Sequence, residues 1–156
     1  MFRHAVGRFA TGVCVVSTVV DGVDHAMTAS AFTSVSLDPP LVLVCVELDS
    51  RFHDAVVEAG VWAVSVLDGT ARGVADWLAT RGRPLVGQLD PVPHRRGELT
   101  GAALPFQAVA WLECRTHARY PGGDHSILVG EVMGVELGSA TAATLSYHRG
   151  QYRVLP

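Results

Sequence analysis

Residues Met27-Thr28-Ala29-Ser30-Ala31-Phe32-Thr33-Ser34-Val35-Ser36-Leu37-Asp38-Pro39-Pro40 run straight into Leu41-Val42-Leu43-Val44-Cys45-Val46, and this stretch constrains the chain more than any other. Small and hydroxyl side chains are trapped between two apolar, strand-like segments. A solvent loop would carry more charge, and a core strand would carry fewer hydroxyls. Small residues let a flat ligand approach the backbone, while hydroxyls and free N–H groups meet its polar edges. The double proline ends one segment and presets an extended entry to the next. The same residues also suit a Ser/Thr-rich edge strand followed by a turn, and local physics leaves both readings open.

The flanking pattern is one of strands. A short helix is expected over 2–10, where Phe2, Val6 and Phe9 fall at helical spacing. Val13 to Val20 is β-branched, Asp21-Gly22 is a hairpin turn signal, and the return strand runs from His25 to Ala31. Leu41 to Glu47 reads as a strand buried on both sides. Asp49-Ser50 can cap a helix over 51–59, whose N-terminus, with Ser50 and Arg51, would attract phosphate. Val61 to Leu67 alternates as a strand, and Thr70 is placed to cap a helix through Thr80.

From Gly82 to Leu104 the periodicity fails, and three prolines and four glycines suggest a long connection that serves as a lid. Strand patterns return at 107–116 and at His125 to Glu136, joined through a turn at Pro121-Gly122-Gly123-Asp124. Leu145 to Val154 is polar and aromatic. The sum is about six or seven strands with short connecting helices and no βαβ periodicity, which favours a mainly β, split antiparallel barrel. At 156 residues the whole chain, 1–156, reads as one domain.

Composition narrows the function. Charged residues make up 17% of the chain and mean hydropathy is +0.28, so non-polar surface is expected to be hidden against a partner chain or cofactor. A homodimer follows as the expected state. A net charge of -3 and twelve scattered arginines argue against nucleic acid, and the absence of lysine excludes Schiff-base chemistry. Cys14, Cys45 and Cys114 sit singly in apolar runs and read as buried thiols. No leader-like segment or apolar membrane span is apparent, so the expected location is cytoplasmic.

No dinucleotide-binding, P-loop, zinc-protease or nucleophile-elbow motif is present. Of seven histidines, His117 and His125 could meet across a hairpin, but no further ligand accompanies them and no metal is expected. His125 opens a strand after a glycine turn and an acid. An imidazole there can hold a ring carbonyl, a pyrophosphate or a nicotinamide, or serve only as a solvated rim residue. Tyr147, Arg149 and Tyr152 offer stacking area and a phosphate fork, and equally suit a dimer interface.

The run from Met27 to Val42 resembles the signature of the short-chain flavin reductases, the reductase components of two-component flavin-dependent monooxygenases. Their fold is the FMN-binding split barrel. Phe9-Ala10-Thr11-Gly12-Val13-Cys14-Val15-Val16-Ser17, Trp62 to Leu67, Gly123 to Val132 and Tyr147-His148-Arg149-Gly150-Gln151-Tyr152 match in order, covering almost the whole chain.

The resemblance implies a homodimeric NAD(P)H:flavin oxidoreductase. NADH or NADPH would reduce FMN or FAD, and the reduced flavin would pass to a partner monooxygenase. It implies that Met27, Thr28, Ala29, Ser30 and Ser34 line the flavin edge and ribityl chain, with Cys45 and Val46 giving backbone contacts to the ring. Ser50 and Arg51 would meet phosphate, His125 the isoalloxazine or nicotinamide as the catalytic position, and Tyr147 and Arg149 the outer face.

The chain departs from the family where relatives carry an Asn-Arg-Ser-Ser-Ser-Thr-like phosphate loop. Here the loop is Glu47-Leu48-Asp49-Ser50-Arg51-Phe52, whose acids would repel phosphate unless turned away. Ser65 stands where an asparagine is usual, and the pattern around 82–100 is lost. Competing expectations are a barrel that retains its flavin and acts on an organic substrate, or a non-catalytic accessory barrel. A haem- or pyridoxal-phosphate-binding barrel lies outside the flavin world.

Overall fold

β-Branched runs, each ended by a glycine or a turn, produce most of the strands. The structure, a computed structural model, describes residues 1–156. In order the elements are α1 (Phe2–Val6), β1 (Thr11–Gly12), β2 (Cys14–Val20), β3 (Val23–Ala29), β4 (Phe32–Leu37), β5 (Pro40–Glu47), α2 (Arg51–Ala59), β6 (Val61–Leu67) and α3 (Arg72–Ala79). They are followed by β7 (His94–Arg96), β8 (Ala103–Pro105), β9 (Ala108–Gly122), β10 (His125–Leu137), β11 (Thr144–His148) and β12 (Gln151–Leu155).

Seven strands form one antiparallel sheet in the order β3-β2-β6-β9-β10-β5-β4. Its two edges are β3 and β4, yet these are consecutive in the chain. The corner Ser30-Ala31 steps from one edge to the other, and the Cys45 N–H donates to the Ala31 carbonyl at 3.1 Å. The sheet therefore curls into a barrel whose edges meet at that corner and part beyond it. This is the split barrel expected from the strand count.

β2 is buried on both faces, which its unbroken β-branched run permits. One face joins Val44, Val46, Trp62 and Val64 around Phe52 and Val56 of α2. The other packs Val13 and Val15 against Leu67, Val74 and Leu78. Asp21 and Gly22 both take positive φ, as a two-residue hairpin requires. No helix is long and apolar enough to cross a membrane.

Four expectations need correction. The first helix stops at Val6, and Phe9 beyond it is 74% exposed, because no partner surface within this chain receives that apolar spacing. α3 starts at Arg72 rather than at a Thr70 cap, since the Thr70 hydroxyl instead donates to the Asp68 carboxylate at 2.6 Å. β5 is buried on one face only: Val42, Val44 and Val46 point inward while Leu41, Leu43 and Cys45 stay half-exposed.

The stretch 82–104 is not a lid. Leu89 and Val92 belong to the core, the Gln88 amide donates to the Asp24 carbonyl at 2.7 Å, and β7 pairs with β8. Its periodicity fails because single apolar residues anchor it between turns.

Candidate functional site

Where the barrel edges part, a cleft of about 380 Å³ opens. One wall is β3, through His25, Ala26, Met27 and Thr28. The facing wall is the end of β5 and the start of α2, through Glu47, Asp49, Ser50 and Arg51. The segment after α3 closes it with Arg81 and Arg83.

Ser50 caps α2 as its sequence implies. Its hydroxyl accepts from the His53 N–H at 3.2 Å and donates to the Glu47 carbonyl at 2.7 Å. Gly60, in the left-handed region at φ 67°, ends the helix. Arg51, the first helical residue, donates to the Arg83 carbonyl at 2.6 Å. Arg83 in turn donates to the carbonyls of Leu78, Thr80 and Ala26, bracing the end of α3 against β3. Its buried Nε has no partner. Burial, and then the charge of Arg51, hold the Arg83 pKa below its usual range, and the same two causes hold His25 below 6.5.

The acids of this loop are answered locally. Arg81 grips both Glu47 carboxylate oxygens at 3.0 and 2.8 Å. Asp49 lies exposed, where water screens it. The charge that would repel a phosphate is thus largely neutralised at Glu47.

His125 opens β10 directly opposite Glu47 of β5, a cleft residue, but does not itself line the cleft. Its Nδ1–H donates to the Asp124 carboxylate at 2.7 Å, and that bond holds the Asp124 pKa below the usual carboxylate value. Nε2 is left without a protein partner and is free to meet a ligand. His117 lies by the bulge opposite Val129 and Gly130, well along the ladder from His125, so the two do not meet.

Of the positions singled out in the sequence, Met27, Thr28, Ser50 and Arg51 share the cleft. The Thr28 hydroxyl is already used, donating to the Ala75 carbonyl at 2.7 Å. Ala29 and Val46 point into the core. Ser30 is exposed at the corner, Ser34 is exposed on edge strand β4, and Cys45 is half-buried on β5. Tyr147 and Arg149 line a different cavity, with α1. The other two thiols are inert: burial pushes Cys14 and Cys114 up to about 12.

Sequence reasoning passed over Arg81, Arg83, His25 and His53. His53 is 8% exposed, and its Nε2 accepts from the Ser126 hydroxyl at 2.8 Å, tying the start of α2 to the residue after His125. Its position three residues after the helix cap was the available signal.

The cleft joins the β3 wall, with Met27 and Thr28, to an arginine-rich end at a helix start. That geometry suits a flat, phosphate-bearing ligand. The family model for the flavin reductase like domain matches residues 6–156. The chain belongs to that flavin reductase family.

An NADH-dependent FAD reductase of Streptomyces globisporus is 47% identical over 132 residues, 84% of this chain and 72% of that protein. The reductase component of 4-hydroxyphenylacetate 3-monooxygenase from Thermus thermophilus is 38% identical over 154 residues, covering 99% of this chain and 95% of the relative. Among solved structures, the flavin reductase component of a bacterial two-component tryptophan halogenase superposes with a TM-score of 0.93 at 46% identity. It covers 99% of this chain and 96% of that one. Flavin reductase membership and the split-barrel fold thus agree with the strand topology seen here.

Proposed function

We propose that this chain carries hydride from NADH or NADPH to FMN or FAD and releases the reduced flavin to a partner monooxygenase. The observation that carries the reading is the seam of the barrel, where Met27 and Thr28 of β3 face Ser50 and Arg51 at the start of α2, with Arg81 and Arg83 closing the cleft. A phosphate-bearing flavin fits that donor set, with Met27 and Thr28 against its edge and Ser50 and Arg51 toward its phosphate.

When bound, the flavin supplies the hydride acceptor. The protein's own residues bind and orient. The α2 start and Arg51 fix the anionic end, Arg81 shields Glu47, and His125, opposite Glu47 with Nε2 unpartnered, is the group proposed to meet a nicotinamide carboxamide or ring carbonyl. Ala29, Ser30, Ser34, Cys45 and Val46 lie outside the cleft lining, and Tyr147 and Arg149 line a separate cavity beside α1.

The reading takes residues 1–156 as one unit working as a homodimer. Phe9, Leu37 (93% exposed), Val135 and Leu137 offer the apolar surface that a second copy would cover.

Adding FMN or FAD and then NADH or NADPH without oxygen should bleach the flavin absorbance near 450 nm, and continue beyond one equivalent per chain. Bound flavin that resists reduction would remove the reading and favour a role without hydride transfer. Bleaching that stops at one equivalent would instead favour a barrel that keeps its flavin. Sedimentation of the same sample as a single-chain species would remove the dimer.

A further inference from the structure

The seam cleft is lined by three arginines, Arg51, Arg81 and Arg83, and by two carboxylates, Glu47 and Asp49. How those charges pair decides which kind of phosphate the cleft accepts. Arginine stays protonated at neutral pH. His25, the other ionisable lining residue, is neutral there, because burial and then Arg51 push its pKa below 6.5.

The three arginines are not equivalent. Arg51 opens α2 beside the Ser50 cap, with one guanidinium nitrogen on the Arg83 carbonyl. Arg83 has its terminal nitrogens on the carbonyls of Leu78, Thr80 and Ala26, so it lends charge but no free terminal donor. Arg81 is engaged by both carboxylate oxygens of Glu47.

Glu47 therefore cancels Arg81, Asp49 offsets one of the other two arginines, and a single net positive charge remains. Carboxylates outside the lining do not raise it. Asp24 is paired with Arg96 and Asp124 with His125, while Glu58 of α2 acts on His25 with a further negative charge.

Flavins offer this cleft phosphates of different charge. The phosphomonoester of FMN carries about 1.5 to 2 negative charges at pH 7, whereas each phosphate of FAD is substituted on both sides and carries one. A single positive charge balances the second kind. It leaves the first with uncompensated negative charge in a cleft, where water screens less than in bulk.

Glu47 is placed to enforce the difference. Its backbone carbonyl accepts from the Ser50 hydroxyl, and its carboxylate lines the same cleft as Ser50 and Arg51. The Arg81 side chain is 83% exposed, and an exposed ion pair holds its geometry weakly. Arg81 can turn toward a ligand once Glu47 no longer engages it.

We infer that Glu47 is a specificity-determining residue: by engaging Arg81 it makes the cleft select a singly charged phosphate diester, as in FAD, over the doubly charged phosphomonoester of FMN. The inference rests on the reductase reading, in which the α2 start holds the flavin phosphate.

Calorimetric titration of the full chain with oxidised flavins at neutral pH tests it, using riboflavin, FMN, FAD and the monomethyl ester of FMN. The ester carries one charge on the same phosphate and lacks adenosine, so it separates charge from any contact to the adenine half. The wild-type chain should bind the ester and FAD about threefold or more tighter than FMN.

Glu47→Gln removes one negative charge and releases Arg81. A charge acts on a ligand in proportion to the ligand's own charge, so FMN should tighten about tenfold, the ester about threefold and riboflavin not at all. Arg81→Ala in the same background should reverse most of the FMN gain. Glu47 supports the Ser50 cap only through its backbone carbonyl, so the glutamine variant should melt within about 4 °C of the parent.

A merely structural Glu47 would shift all four ligands alike. That result, equal wild-type affinity for FMN and its methyl ester, or failure of the ester and FAD to bind would overturn the inference. Binding of oxidised flavin needs no turnover. A chain that shows this charge order but never oxidises NADH or NADPH sinks the reductase reading alone, and one that reduces flavin without the charge order sinks the role of Glu47 alone.

Discussion

Replacing Gly130 with valine should lower the melting temperature by about 10 °C, or abolish soluble expression. Gly130 sits in β10, between β5 and β9. A Cβ built there meets Trp62 Cζ2 at 2.4 Å, Trp62 Cη2 at 2.9 Å and Cys114 Cβ at 3.1 Å. Trp62 is fully buried, with its indole N–H donating to the Thr116 hydroxyl at 3.1 Å, so the ring cannot swing away without losing that bond. Overpacking of a fixed core costs about 1–3 kcal/mol, and a branched side chain against a rigid indole belongs at or above the upper end. For a chain of this length each kcal/mol moves the midpoint by about 2–4 °C. Trp62→Phe in the same background removes the atoms that clash and should recover part of the loss. A valine variant melting within about 2 °C of the parent would show that the strand relaxes freely there, contrary to the packing argued here.

Replacing Arg51 with alanine should raise the flavin dissociation constant about tenfold or more, equivalent to about 1.4 kcal/mol or more, through loss of a charge-assisted bond to phosphate. The same change should flatten the salt dependence of flavin binding. Stability should change little, because Arg51 is exposed and Ser50 keeps the helix cap.

A second readout comes from His25, whose pKa is held below 6.5 first by burial and then by Arg51. Without Arg51 its imidazole should titrate nearer its ordinary value, which proton NMR resolves. The sign for stability follows. A folded state that binds the proton less readily than the unfolded chain loses stability as pH falls below about 6.5, so Arg51→Ala should shrink that acid loss. Unchanged flavin affinity in Arg51→Ala would remove the α2 start as the phosphate site.

Flavin reductase membership was legible because it rests on local order: a small-residue run ending in two prolines, a capped helix after an apolar strand, and a glycine turn before His125. The Asp21-Gly22 turn, the Ser50 cap and the Gly60 stop are each set by a few consecutive residues, and local sterics and hydrogen bonding suffice to read them. The lid assigned to 82–104 failed for the opposite reason. Its anchors, Leu89 and Val92, are isolated in sequence and acquire meaning only when α3 and β2 bring their partners.

Charge behaved in the same way. Glu47 in the phosphate loop looked hostile to an anion until the fold returned Arg81 to it from the far end of α3. The sequence by itself determined the long strands, the Asp21-Gly22 turn, the Ser50 cap and the family. The tertiary structure alone decided that the barrel opens between β3 and the α2 start, that Arg83 braces that opening, and that Arg3, Arg8 and Arg149 share a cavity. These are contacts between residues far apart along the chain. Their energy depends on distances in space, to which neither hydrophobic period nor local propensity is sensitive.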